Sequence, residues 1–171
     1  MEFPPVKDLP TSPRCFVCGE HNPAGLHARF QVEDGLVKMP LTARDGHCGY
    51  PDVVHGGVLA AALDECMGWA AARAIQRMCV TGELTVRYLK PVPPGPGYTV
   101  YAEVLRSSRR LVHACAWITG PDGERYARAE GRFLPLSEAD TLRIDDGLVY
   151  RGGEERVFDS LRPARDLKQG D

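Results

Sequence analysis

Thirteen of the fifteen residues from Val58 to Ala72 are apolar or small, and the two exceptions, Asp64 and Glu65, are adjacent. A run this apolar on every side reads as a buried helix, in which a carboxylate is costly unless it is paired or put to use. The step His55-Gly56-Gly57 opens the run. At about 100° per residue, seven steps bring Asp64 back under Gly57 two turns on. One helix face then carries unpaired backbone N–H groups at its positive end and a carboxylate below them. Such a pairing can polarise a carbonyl and hold a water. Glu65, rotated about 100° from Asp64, leaves that face and is expected in solvent or paired with Arg73 or Arg87.

Around this helix, predicted from about Gly56 to about Met78, the chain reads as strands. Leu26–Val32 and Leu36–Thr42 flank the turn Glu33-Asp34-Gly35 as a hairpin. Thr81–Leu89, Tyr98–Arg106, Leu111–Thr119 and Glu124–Leu136 alternate and are separated by turn sequences, among them Val92–Gly97 and Gly120–Gly123. The predicted class is α+β, a long central helix wrapped by a curved antiparallel sheet. One sheet cannot cover a helix that is apolar all round, so a second subunit is expected to help. Residues 1–14 read as a flexible N-terminal segment, 15–136 as the folded domain, and 137–171 as an extension, partly disordered, with at most a short helix.

Bulk properties exclude several classes. A net charge of −2 and a pI near 6.2 argue against nucleic-acid binding. Two acids at the centre of the apolar run would cost roughly 3 kcal/mol each in a bilayer, which argues against a membrane span. The start MEFPPVKDLPTSPR lacks the apolar core of a signal peptide, so a cytoplasmic protein with reduced cysteines is expected. Cys66, Cys79 and Cys115 read as small core residues. Cys15, Cys18 and His21 approach metal-ligand spacing, but no second pair of comparable spacing follows, and His27, His47 and Cys48 are only loosely placed. The reading is a cysteine-containing loop with no metal.

Two sets of residues resemble a known family. Leu84-Thr85-Val86-Arg87-Tyr88-Leu89-Lys90-Pro91, following His55-Gly56-Gly57 and Asp64, is similar to the hotdog-fold thioesterases of the PaaI-like group. Cys15-Phe16-Val17-Cys18-Gly19 with Asn22-Pro23 and Gly25-Leu26 resembles the start of many bacterial members. The resemblance covers about Cys15 to Leu136 and implies the hotdog fold and hydrolysis of acyl-CoA or acyl-carrier thioesters. It also implies sites at the interface of a homodimer, with pairs of dimers common. On the same basis Gly56 would supply the N–H that binds the thioester oxygen, and Asp64 of the partner helix would be general base or nucleophile. Thr81 would position the attacking water. Two family features are missing: Gly49 stands where several relatives carry Asn or Gln, and Arg132 and Phe133 lie where a His is sometimes found.

The residues themselves support parts of this. Gly56 and Gly57 let a ligand approach helix-terminal amides closely, and one such donor can contribute about 3 kcal/mol in a transition state. Burial would raise the Asp64 pKa and improve it as a base. His55 is grouped with the site as a helix-entrance residue. Arg109, Arg110 and Lys90 are candidates for CoA phosphates, with solvated turn residues the plain alternative. The expected ligand is a small-molecule acyl-CoA, with CoA part of the substrate and no cofactor. A non-catalytic acyl-CoA-binding module is the alternative function; a hydratase ranks last, because no suitable His follows in the helix.

Overall fold

The inner face of the main sheet is built from small residues. In the computed structural model, which describes residues 6–163, strand β8 (Val112–Thr119) buries every second side chain: Val112, Ala114, Ala116 and Ile118. Strand β9 (Arg125–Pro135) does the same with Ala127, Ala129 and Phe133, and β7 (Gly95–Ser107) with Tyr98, Val100 and Ala102. Period-two burial puts these residues on one face. Alanines and Gly131 at its centre let helix α1 (Gly56–Ile75) lie close, with Leu59, Leu63, Cys66 and Met67 filling the space between. A Cβ added at Gly131 would stand 3.3 Å from the Met67 methyl and 2.7 Å from the Phe133 ring, so the close approach there requires glycine.

The remaining strands are β1 (Lys7–Asp8), β2 (Gln31–Glu33), β3 (Leu36–Ala43), the small pair β4 (Cys48–Tyr50) and β5 (Val53–Val54), and β6 (Cys79–Tyr88). Seven of them form one antiparallel sheet in the order β1-β2-β3-β7-β8-β9-β6. Helix α1 packs across β3 and β6 to β9. This is the hotdog architecture, an α+β arrangement as the alternation predicts. Strand β6 is an edge, and Val80, Tyr88 and Leu89 on or just after it are about half exposed. No helix among the described residues is long and apolar enough to cross a membrane.

Several sequence expectations need correction. Helix α1 stops at Ile75 rather than Met78, because Gln76 turns left-handed (φ 52°) and its N–H donates to the Ala72 carbonyl. Of the expected Leu26–Val32 strand only Gln31 and Val32 lie in a strand, which runs on to Glu33; His27 has φ 53°, which breaks an extended run. Residues 6–14 are tied down. Lys7 and Asp8 pair with Val32 and Gln31, Leu9 is buried, and Thr11 bridges Val149. The C-terminal extension is likewise packed as far as Pro163. It forms α2 (Glu138–Asp145) and a 3-10 turn at Asp159–Leu161, and it buries Val157 and Phe158. Glu155 takes a two-pronged ion pair from Arg73, and buried Asp145 accepts from Tyr150 and Arg162. The expected disorder beyond that point falls on residues 164–171, outside the described residues.

The termini therefore cover part of α1 that the sequence alone assigned to another subunit. Trp69 packs against Phe30 at 6.4 Å between ring centroids, and Arg73 is held by Glu155. Phe158→Ala is expected to cost about 3–5 kcal/mol, the range for a buried aromatic truncated to alanine. Urea unfolding of the two proteins checks it; an unchanged midpoint would mean that the extension is not part of the core.

Candidate active site

The helix entrance is assembled by its own histidine. His55 is the N-cap of α1, and its Nδ1 accepts from the Gly57 N–H at 2.9 Å, which puts the ring proton on Nε2. The Val58 and Leu59 amides donate to the His55 carbonyl. Gly57, expected to offer a free donor, is therefore already used. Among the described residues, Gly56 is the first-turn amide with no acceptor. The Gly56 carbonyl in turn accepts from the Tyr88 hydroxyl at 2.7 Å, pinning the helix start to the end of β6. A Cβ on Gly49 would come within 2.9 Å of His55 Cδ2. The missing Asn or Gln at that position is thus matched to this cap: the imidazole stands where a side chain would go.

Two turns along, Asp64 is partly buried and its Oδ1 accepts from Thr81 Oγ1 at 2.8 Å. Burial raises the carboxyl pKa above its ordinary value, and the Thr81 bond offsets part of that rise. Thr81 reaches the helix because β6 changes parity. Leu84 and Val86 point inward at even positions, and strict alternation would send Thr81 outward. The register slips between Thr81 and Glu83, opposite Phe133 and Arg132, so Gly82 is an extra residue. That bulge turns Thr81 back toward Asp64. The alternation over Thr81–Leu89 predicts one regular strand; the lone Gly82 within it is the signal for the bulge.

Within one chain the Gly56 amide and the Asp64–Thr81 pair do not meet. Gly56 and Asp64 lie eight residues apart on one straight helix, about 12 Å at 1.5 Å per residue. A carbonyl oxygen and a water attacking its carbon must be held only about 3 Å apart. The exposed Gly57 and the partly exposed Ala60, Ala61, Asp64 and Gly68 form a stripe of small side chains and one carboxylate along α1. A cavity of about 230 Å³ opens beside Asp64, Thr81, Glu65, Gly68 and Cys18. A larger recess, about 490 Å³, lies on the opposite face of the sheet around Arg87, Trp117 and Arg128, and none of these site residues lines it.

The phosphate candidates separate. Arg109 and Arg110 sit exposed in the β7–β8 turn, at the Asp64–Thr81 end of the sheet. Lys90 follows Tyr88 at the Gly56 end, where Glu124 and Asp122 already pair with it. Its charge is largely answered within the chain.

Glu65 is a further correction. It turns away from solvent toward the N-terminal loop, with Oε1 3.5 Å from Cys15 Sγ and 3.9 Å from Cys18 Sγ. Burial, reinforced by the Cys15 sulfur, pushes its pKa up to about 8. Arg73 is engaged by Glu155, and Arg87 lies on the outer face of the sheet. His21 does not join the cysteines; Glu65 takes that place. Of the cysteines read as core, Cys66 is buried, whereas Cys115 faces outward toward Glu103.

Residues 52–125 match the Thioesterase superfamily. The chain is 28% identical over 108 residues to a protein of Saccharolobus solfataricus named as a candidate esterase, covering 63% of this chain and 76% of that one. It is similar to a solved thioesterase superfamily protein at 28% identity and a TM-score of 0.66. That match covers 71% of this chain but only 60% of the relative's length. A thioesterase-like protein of Streptococcus pneumoniae, solved with coenzyme A, shares the fold at a TM-score of 0.56 and 21% identity, covering 61% of this chain and 83% of that one.

The capping bond yields a direct expectation. His55→Ala should cost about 1 kcal/mol by exposing the Gly57 amide, read as a shift in the denaturation midpoint. A stability unchanged within error would mean that the ring does not cap the helix.

Proposed function

We propose that this chain, whose residues 52–125 match the Thioesterase superfamily, is a hotdog-fold thioesterase that hydrolyses an acyl thioester, with coenzyme A the favoured carrier. The observation that carries this reading is the Asp64–Thr81 pair, a partly buried carboxylate held at one oxygen by a hydroxyl. The thioester carbonyl oxygen accepts from the Gly56 N–H, at the positive end of α1. A water is held beside Asp64 and Thr81, and the carboxylate takes its proton as it attacks the carbonyl carbon. Collapse of the tetrahedral intermediate breaks the carbon–sulfur bond. The proton passes to the leaving thiolate, giving a free acid and a free thiol.

The roughly 12 Å between Gly56 and Asp64 requires that one site draw on two chains. We therefore assign the protein as a homodimer joined along the β6 edge. The exposed β6 ladder groups and the small-residue stripe on α1 make such a joint favourable. Pairing of two dimers extends the same proposal. Arg109 and Arg110, at the Asp64 end, are the better-placed groups for the phosphates of CoA. CoA enters as part of the substrate, and no cofactor is invoked.

Two variants test the chemistry. Asp64→Asn should lower kcat/KM for an acyl-CoA by about 10²–10⁴-fold, as for loss of a general base. Gly56→Pro deletes the N–H at the first helical position, which tolerates proline, and should cost about 10²–10³-fold in kcat. Free CoA is followed by chromatography, since the protein's own thiols would disturb a thiol reagent. Wild-type protein that binds acyl-CoA without releasing CoA overturns hydrolysis in favour of a binding module.

Mixing the two variants tests the shared site. Unfolded together and refolded, Asp64→Asn and Gly56→Pro chains should regain activity, because half of the sites in each mixed dimer are intact. No recovery from a mixture that forms dimers would mean that each chain works alone.

A further inference from the structure

The residue after Asp64 belongs to a second cluster that the hydrolytic chemistry does not use. The sulfurs of Cys15 and Cys18 and a carboxylate oxygen of Glu65 all lie within 4.8 Å of one another. The two sulfur–oxygen distances, 3.5 and 3.9 Å, are close to the edge of a tetrahedron around zinc. With Zn–S about 2.3 Å and Zn–O about 2.0–2.2 Å, that edge is about 3.5–3.7 Å.

The loop backbone is wound to stabilise sulfur anions. The N–H groups of Val17 and Cys18 donate to Cys15 Sγ at 3.2 and 3.4 Å, and the Ser12 N–H donates to Cys18 Sγ at 3.4 Å. A hydrogen bond received by sulfur favours thiolate over thiol. The turn depends on Gly19, whose N–H donates to the Cys15 carbonyl at 2.9 Å. A Cβ there would stand 2.4 Å from that same oxygen, so the backbone could not close around any other residue. Three groups that are anionic when ligating thus converge, and among the described residues no lysine or arginine pairs with Glu65. Such a set calls for a cation.

We propose that Cys15, Cys18 and Glu65 bind one divalent ion of the zinc class, clamping the N-terminal loop to helix α1 beside Asp64. Two thiolates select a borderline-soft ion over magnesium or calcium. Binding expels the thiol protons, and any proton on Glu65, to solvent. Cys18 and Glu65 line the same cavity as Asp64 and Thr81, so a water there takes the fourth position. The clamp stands apart from the hydrolase reading: a chain inactive on every thioester would still bind the ion.

The test uses the whole 171-residue chain, purified under reducing conditions, loaded with zinc and desalted. Elemental analysis should return one zinc per chain, falling to near zero in Cys15→Ser and Cys18→Ser. Glu65→Gln should weaken zinc binding in chelator competition by more than the roughly 10–100-fold cost of losing an outer-sphere partner. Cobalt loaded into the reduced wild type should give a sulfur-to-metal charge-transfer band with the strong visible bands of a tetrahedral site. The wild-type spectrum decides even if a cysteine variant does not fold. Absence of those bands together with substoichiometric zinc overturns the proposal, as does zinc retained in a folded Cys15→Ser/Cys18→Ser chain. A Cys15–Cys18 disulfide that forms under reducing conditions and excludes metal overturns it equally.

Discussion

A helix with almost no polar side must be covered all round, and the rest of this structure follows from that need. The alanine-lined face of the sheet covers one side of α1, with Leu63, Cys66 and Met67 fully buried against it. The N-terminal loop and the C-terminal extension cover another, through Phe30 on Trp69, Glu155 on Arg73 and the buried Phe158. What stays partly open is the narrow stripe through Gly57, Ala61, Asp64 and Gly68. A stripe of small residues allows another surface to come close, and the carboxylate at its centre is the one group there able to do acid–base chemistry.

The two neighbouring acids have different fates for a geometric reason. A rotation of about 100° sends Asp64 toward β6 and Glu65 toward the N-terminal loop. Asp64 meets a single hydroxyl, and the bulge at Gly82 is what turns that hydroxyl inward. Glu65 meets two sulfurs held by backbone N–H groups. Both acids open onto one cavity, so the loop and the edge strand act on adjacent residues of the same helical turn.

Much of the candidate site's layout is legible in the sequence. The His-Gly-Gly step before a buried run, and an acid two turns later, required only helical periodicity. The pairing of Thr81 with Asp64 was suggested by family resemblance alone, because strand alternation by itself points Thr81 the wrong way. The Glu65 environment was misread: its partners, Cys15 and Cys18, lie about fifty residues away, and no local pattern reports contacts of that range. The termini were misjudged for the same reason. Proline-rich or charge-rich segments read as loose, yet Leu9, Val157 and Phe158 each found a place in the core.

Local periodicity alone determined that this chain has one buried helix, an antiparallel sheet and a carboxylate beneath a glycine step, since periods of 3.6 and 2 sort side chains to faces wherever the chain goes. Only the tertiary structure decided which amide stays free, because His55 spends its own ring on Gly57 and leaves Gly56 open. It also decided which residues meet Asp64 and Glu65, through a one-residue slip in β6 and a loop folded back from a distance. Contacts between segments far apart in the chain depend on how strands register and loops close, and those are properties of the whole fold rather than of any window of sequence.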